Sequence, residues 1–426
     1  MSLIGRVIFW SVIAAAFIGP GTVTTAAKAG ADFGPGLLWA LGFSVLACFV
    51  LQEAASRITS VTKTGLGDHF MQLLKLRPAV FFIIFTIVLG CVAYEAGNLL
   101  GAVAGLALLT DLPAYVLTGS IGLAAFLLLS IRRIGKLVQW LGLIVAIMGI
   151  CFVGSAVLQD ISFSSVVSGL FIPRVPNESN LLIIALIGTT VVPYNIFLGA
   201  GMKHTQSLKE MRISLALAIL LGGIISMGIL ITGTAIRGGF TFQALSLALE
   251  SQLGPVAGSL LGIGLFAAGL SSSVTAPLAA AISMKSLFPE QKTWREGGRY
   301  FRLTAIITLL IGVVFGLSNI KPVPVIIAAQ AFNGIILPLV AVLLFILSNS
   351  RQHLAEHCNT GLQNLFMGVV TAISVLLGVR NVISALGKIF PSLQVNEQTL
   401  FMSSLVGVVA LAYPVFRVIA RLRRGK

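Results

Sequence analysis

Long apolar stretches, separated by short polar connections, run the whole length of the chain. At roughly 18 or more apolar residues per crossing, this pattern predicts about 12 membrane-spanning helices. They fall near residues 7–30, 36–58, 78–109, 112–131, 137–158, 180–202, 211–236, 254–284, 303–318, 322–348, 362–384 and 399–420. The third is long enough to be strongly tilted. Two of the stretches are interrupted from within. Phe17-Ile18-Gly19-Pro20-Gly21-Thr22 breaks the first, and Thr189-Thr190-Val191-Val192-Pro193-Tyr194-Asn195 breaks the sixth. Proline removes an amide donor and glycine loosens the backbone, so neither segment continues a regular helix. In lipid, unpaired backbone is tolerated only where it is buried in protein or lines a polar cavity.

The spacing of the two breaks organises the chain. Spans 1–5 and 6–10 each begin with an interrupted helix. This predicts two five-helix repeats of opposite orientation, at about 7–158 and 180–348, with two appended helices at about 362–420, all in one transmembrane domain. Interrupted segments at corresponding positions of two halves point to the substrate site of a secondary transporter. The outer segment 159–179 and the inner segment 285–302 are the sizeable connections. Small residues such as Ala102, Ala104, Gly105 and Ala107 allow close helix packing.

Composition removes the alternatives. The chain is 57% hydrophobic and 10% charged over 426 residues, and its mean hydropathy is +1.03, which leaves no room for a separate soluble domain. The first apolar stretch runs past its Gly-Pro-Gly break and lacks a small-residue cleavage site, so it is not read as a signal peptide. A net charge of +15 raises the question of nucleic acid. Position answers it: of the 28 Lys and Arg residues, all but Lys28, Arg174, Arg237, Lys321, Arg380 and Lys388 fall on alternate connections or the span ends beside them. Arg57, Lys63, Lys75 and Arg77, then Arg132, Arg133 and Lys136, then Lys203, Lys209 and Arg212 begin the series. This is the positive-inside pattern. It predicts a multi-pass cell-membrane protein with both termini cytoplasmic, the lipid bilayer as partner and no nucleic acid. Cys48, Cys91 and Cys151 lie in apolar spans and Cys358 in an inner loop, which implies no disulfide framework. No phosphate-binding glycine loop, Walker sequence or catalytic triad is present, so the chain is read as neither an enzyme nor an ATP-driven pump, and no cofactor is expected.

Of 13 acidic residues, Glu53 and Glu95 alone fall within predicted spans. Glu95 lies near the centre of the third, in Cys91-Val92-Ala93-Tyr94-Glu95-Ala96-Gly97-Asn98. A carboxyl group at membrane depth is costly and marks a functional position, here a proton-coupling or substrate-binding group, against a protonated structural hydrogen bond. Glu53, with Arg57 one turn on, reads as a structural ion pair. Polar groups collect at the breaks: Thr22, Thr24, Thr25, Thr189, Thr190, Tyr194 and Asn195. Ser271, Ser272, Ser273 and Thr275 in the eighth span and Gln330 and Asn333 in the tenth add to them. Any single Ser or Thr here is as well explained by back-bonding to the preceding turn, and the functional reading rests on the set. The four histidines are all in inner loops. His353-Leu354-Ala355-Glu356-His357 imitates a metal site on one helical turn and is read as coincidence.

These residues carry a resemblance. The chain is similar to the NRAMP family of divalent-metal transporters, which implies the LeuT-type fold of two inverted five-helix repeats, with helices 1 and 6 broken, in an all-α polytopic membrane protein. Gly19-Pro20-Gly21-Thr22 stands where that family has Asp-Pro-Gly-Asn, and Gly188 to Asn195 resembles Gly-Ala-Thr-Val-Met-Pro-His-Asn. Ala267 to Ser272 resembles Ala-Ala-Gly-Gln-Ser-Ser, and Gln330 to Pro338 resembles the tenth helix; the likeness covers about residues 8–345. The departures fall on the cargo site. Gly19 replaces the family's aspartate, Thr22 its asparagine, Val192 its methionine, Tyr194 its histidine and Leu270 its helix-eight glutamine, while Glu95-Ala96-Gly97-Asn98 replaces Asp-Leu-Ala-Glu. With both the anionic and the soft ligand gone, manganese or iron held in the usual way is not expected.

Carried onto this sequence, the resemblance implies a substrate site at Gly19, Gly21, Thr22, Thr190, Val192, Tyr194, Asn195, Ser271 and Gln330, with Glu95 as the proton-coupling group. Thr22, Tyr194 and Glu95 are the candidate metal contacts. Three readings stay open. The first is alternating-access transport of a magnesium-like divalent cation carried with part of its water shell, either coupled to protons or by facilitated diffusion. The second is transport of a small organic solute, such as an amino acid, on the same scaffold. The third is a non-transporting membrane sensor.

Overall fold

The computed structural model describes residues 18–74, 76–130, 135–201, 207–288, 291–389 and 396–424. The first part of the expected opening span lies outside these residues, as do Lys75, Arg132, Arg133, Lys203 and His204. The described chain is helical, and its elements follow the apolar pattern closely. In order they are α1 (Pro20–Phe33), α2 (Leu38–Thr62), α3 (Leu66–Leu74), α4 (Arg77–Ala107), α5 (Ala114–Ser130), α6 (Gly135–Leu158), α7 (Phe163–Phe171), α8 (Asn180–Thr190), α9 (Pro193–Gly201), α10 (Leu208–Gly233), α11 (Phe242–Leu253), α12 (Pro255–Lys285), α13 (Arg299–Leu317), α14 (Pro322–Leu347), α15 (Gly361–Ile389) and α16 (Glu397–Arg423). Ten helical stretches among the described residues are long and apolar enough to cross a membrane, one of them comprising α1 and α2 together and another α8 with the start of α9; α5 is a shorter apolar helix.

Local chemistry sets the ends. Proline occupies the first turn of α1, α4, α12 and α14, where its missing amide costs nothing. At the start of α10, Ser207 accepts from the Glu210 amide while Glu210 accepts from the Ser207 amide, a reciprocal capping box. The connections hold more helix than the sequence reading assigned them. α3, α7 and α11 are short helices lying between spans, and α11 makes 237–254 a third sizeable connection. In α11, Phe242, Leu245, Ala248 and Leu249 bury one face at helical spacing, a stripe too short to read as a span.

α4 is the hub. It packs against α12, α13, α14 and α1, and α12 crosses it closely enough that a Cβ on Gly105 would stand 2.6 Å from the Gly262 carbonyl oxygen. Small residues at such crossings substitute for the hydrophobic driving force that lipid does not supply. The tenth span, α14, packs on α8 in the same manner, with Gly188 against the Gln330 carbonyl. The central helix, which bears Glu95, is thus held on several sides.

Basic groups from distant parts of the chain converge at one end of the bundle. Arg57 of α2 pairs with Glu53 at 3.0 Å and is buried with it, as the one-turn spacing predicts. Arg212 of α10 reaches the same carboxylate at 2.9 Å. Arg57 also donates to the His357 carbonyl and to Asn359 Oδ1. Arg423, at the end of α16, donates to Asn349 Oδ1 and the Asn359 carbonyl. The ends of α2 and α16 and the start of α10 therefore lie on one side.

His69 in α3 belongs to that end. Its Nε2 pairs with Thr62 Oγ1 at 2.9 Å and Thr64 Oγ1 at 2.7 Å, and its ring stands edge-on to His353 at 5.1 Å. Burial, with His353 as the second cause, pushes the His69 imidazole down to about 4. The folded state therefore keeps His69 neutral while the unfolded chain takes up a proton near pH 6.5. Between those values the unfolded state binds more protons, so stability is full above about pH 6.5 and falls as pH drops toward 4, by up to about 3 kcal/mol. Melting of the purified protein between pH 7.5 and 4.5 should show this loss, and His69→Gln should flatten it.

The sequence His353–His357 does not form a metal-binding turn. A helical turn runs from Arg351 to Leu354, and Ala355 then takes positive φ (47°). His353 is engaged by Ser350 and Gln72.

Candidate functional site

The second predicted break is present; of the first, the described residues show Ile18 and the extended Gly19 followed by the start of α1, and the fold brings the two places together. Gly19 is extended (φ −105°, ψ 175°) and α1 starts at Pro20. The sixth span stops at Thr190, turns through Val191 (φ −97°, ψ 79°) and restarts at Pro193. The hydroxyls of Thr22 and Thr189 meet at 3.0 Å, so one hydrogen bond ties the segment after the first break to the segment before the second. Both threonines are buried. A Cβ on Gly21 would collide with the Gln330 side-chain amide, which places α14 against the first break.

Tyr94 completes the enclosure, and the sequence reading had passed over it. Its hydroxyl donates toward the carbonyls of Gly188 (3.3 Å) and Thr189 (3.4 Å), which the break frees from helical pairing. Its ring stands edge-on to Tyr194 at 5.1 Å. The available signal was an aromatic hydroxyl beside the one glutamate at the centre of a span.

The structure sorts the remaining candidates by helix face. Thr190 donates to the Leu186 carbonyl at 3.3 Å, and Ser271 to the Ala268 carbonyl at 3.0 Å. Each is back-bonded within its own helix; their neighbours Thr189 and Ser272 are the residues directed at the breaks. Ser272 Oγ lies 3.8 Å from where a Gly19 Cβ would be. Thr24 and Thr25 bond back to the carbonyls of Pro20 and Gly21, both at 2.7 Å. Val192 and Tyr194 are buried at the second break. The Asn195 amide nitrogen bonds the Val192 carbonyl at 3.0 Å, closing the turn.

Glu95, one residue past Tyr94, is turned about 100° round α4. It packs on α13, where a Cβ on Gly312 would stand 2.7 Å from Glu95 Cγ, and Ser273 and Asn98 lie beside its carboxyl group. Glu95 is fully buried and neither carboxyl oxygen makes a hydrogen bond; Ser273 Oγ and Asn98 Nδ2 are likewise unpaired. Ser273 and Asn98 stand within reach of the carboxyl group but short of good hydrogen-bond geometry, so four buried polar atoms gather here without a settled pairing. Gln330 Oε1 and Asn333 Nδ2 extend the set on α14. Of the suggested metal contacts, Thr22 is bonded to Thr189, Tyr194 meets Tyr94 edge-on, and Glu95 belongs to the face toward α12 and α13. Among the described residues no group of three or more His, Cys, Asp and Glu could hold a metal ion.

A broken sixth span joined to the start of α1 through Thr22 and Thr189, within a bundle of long apolar helices, defines an integral membrane protein of LeuT-type fold. The profile of the family described as natural resistance-associated macrophage protein-like matches residues 11–384, and the chain belongs to that family. The natural resistance-associated macrophage protein 2 homolog of Dictyostelium discoideum is 27% identical over 381 residues, 84% of this chain and 59% of that protein. The divalent metal cation transporter MntH of Klebsiella pneumoniae is 26% identical over 389 residues, 86% of this chain and 91% of the relative. Among solved structures, a manganese transporter of Eremococcus coleocola superposes with a TM-score of 0.72 at 19% identity, covering 98% of this chain and 94% of that one. MhsT, solved with L-phenylalanine, superposes with a TM-score of 0.61 at 15% identity, covering 89% and 98%.

Proposed function

We propose that the protein is a secondary transporter that carries a small solute by alternating access, and that its cargo is a divalent cation retaining part of its water shell. The observation that carries this reading is the buried Thr22–Thr189 hydrogen bond, which joins two helix breaks that have no structural need to exist. Rocking of the segments around α1, α8 and α9 against the rest of the bundle would open the joint to each side in turn. The relatives named as divalent metal cation transporters support the choice of cargo. Hydroxyl and carbonyl oxygens at the joint are hard donors, suited to a magnesium-like ion; the missing thioether and fixed carboxylate speak against a soft ion stripped of water. Glu95, buried and unpaired on the adjacent face, is the proton-carrying group. The basic connections face the cytoplasm of a cell membrane, with both termini on that side.

A second reading has its own support. The joint lacks a metal-ligand cluster among the described residues, which suits an uncharged or zwitterionic organic solute.

Thr22→Val keeps the shape of the side chain and removes its hydroxyl. It should raise the apparent KM for magnesium uptake about tenfold, and Tyr194→Ala should also shift it. Uptake by both variants indistinguishable from the parent would move the cargo site away from the breaks.

A further inference from the structure

Between α2, α10 and α15, at the basic end of the bundle, lies a cavity of about 290 Å³ that is charged at one end and apolar at the other. Glu53, Arg57 and Arg212 form the charged end; Phe49, Val50 and Phe366 line the apolar end. We propose that this groove binds an anionic phospholipid, with the phosphate on Arg212 and an acyl chain along the apolar end.

Charge is the first argument. Two guanidinium groups share the single carboxylate of Glu53, leaving the end of the groove with one positive charge in excess. The two cations are not equivalent. Arg57 is buried and fully committed, through Nε to Glu53, Nη1 to the His357 carbonyl and Nη2 to Asn359. Among the described residues Arg212 gives only its Nε, to Glu53 at 2.9 Å, and its side chain is 42% exposed. Held in orientation by Glu53, it presents its remaining N–H groups as a fork suited to a phosphate. Arg423 stands behind Asn359 and adds to the positive field.

Depth is the second argument. From Arg57 to Leu46 the α2 wall rises eleven residues, about 16 Å at 1.5 Å per residue. That is about half of a ~30 Å hydrocarbon core, the reach of one leaflet. Leu46 and Phe366 at the apolar end are 36% and 40% exposed, so the groove opens sideways to lipid. A free anion would use only the charged end. Phosphatidylglycerol would use both, and the basic side of the protein faces the leaflet where anionic headgroups gather.

The test uses the full-length protein in a neutral detergent, with lipid binding read by native mass spectrometry and by thermal melting. Phosphatidylglycerol should bind at least tenfold more tightly than phosphatidylcholine and raise the melting temperature. Arg212→Gln should remove that preference. Val50→Trp, which fills the apolar end and leaves every charge in place, should weaken phosphatidylglycerol binding, and millimolar inorganic phosphate should shift nothing. Equal binding of the two lipids, a preference that survives both substitutions, or a phosphate-induced shift as large as the lipid's would overturn the proposal.

Discussion

Arg57→Met is expected to destabilise the protein by about 3–5 kcal/mol, the cost of breaking a buried ion pair by removing one partner. Arg57 is 1% exposed and Glu53 6%, so neither charge is screened by water. The substitution leaves Glu53 to the half-exposed Arg212 alone and takes the donor from both the His357 carbonyl and Asn359 Oδ1. Arg57→Lys restores a point charge but not the fork that reaches three partners, and should recover only part of the loss. Lys292→Gln, at an exposed position, is the control and should be neutral within about 0.5 kcal/mol. Thermal melting in detergent checks all three. An Arg57→Met protein that melts with the parent would show that the network does not hold the ends of the helices together.

The second large effect is functional. With Glu95 as the proton carrier, an inward gradient of one pH unit supplies about 1.4 kcal/mol per proton, enough for about tenfold accumulation of cargo. Glu95→Gln keeps the shape of the side chain but carries no proton. Gradient-driven accumulation in proteoliposomes should vanish and the rate should become flat with pH, while exchange at equal pH continues. Normal accumulation by Glu95→Gln would remove this residue from the mechanism.

What was legible in the sequence and what was not divide along a physical line. Helix breaks and spans are local events: Pro20, Pro193 and the apolar runs specify them without reference to the rest of the chain, and they stand where the pattern places them. Which face a helix presents is decided by its neighbours. The hydroxyls turned toward the breaks are those of Thr189 and Ser272, each one residue and about 100° from Thr190 and Ser271, whose hydroxyls bond back within their own helices. Tyr94 was missed for the same reason, since its role depends on carbonyls that α8 brings from nearly a hundred residues further along. The partners of Arg57 near His357 and Asn359 lie some three hundred residues away, beyond any reading by periodicity. The loop helices α3 and α11 are amphipathic over too few turns to be told from a connection. The family likeness was carried by residues around the breaks, and the substitutions at Gly19, Thr22, Val192 and Tyr194 that set this chain apart were readable in the same place.

Uptake of magnesium and manganese into proteoliposomes, side by side and with and without an inward pH gradient, tests the central claim most directly. The account predicts magnesium entry that the gradient accelerates and that Thr22→Val weakens, with manganese carried no better than magnesium. Failure of both ions to enter, in protein shown to be folded by its melting transition, would contradict a divalent cargo and assign the joint between the two breaks to an organic solute.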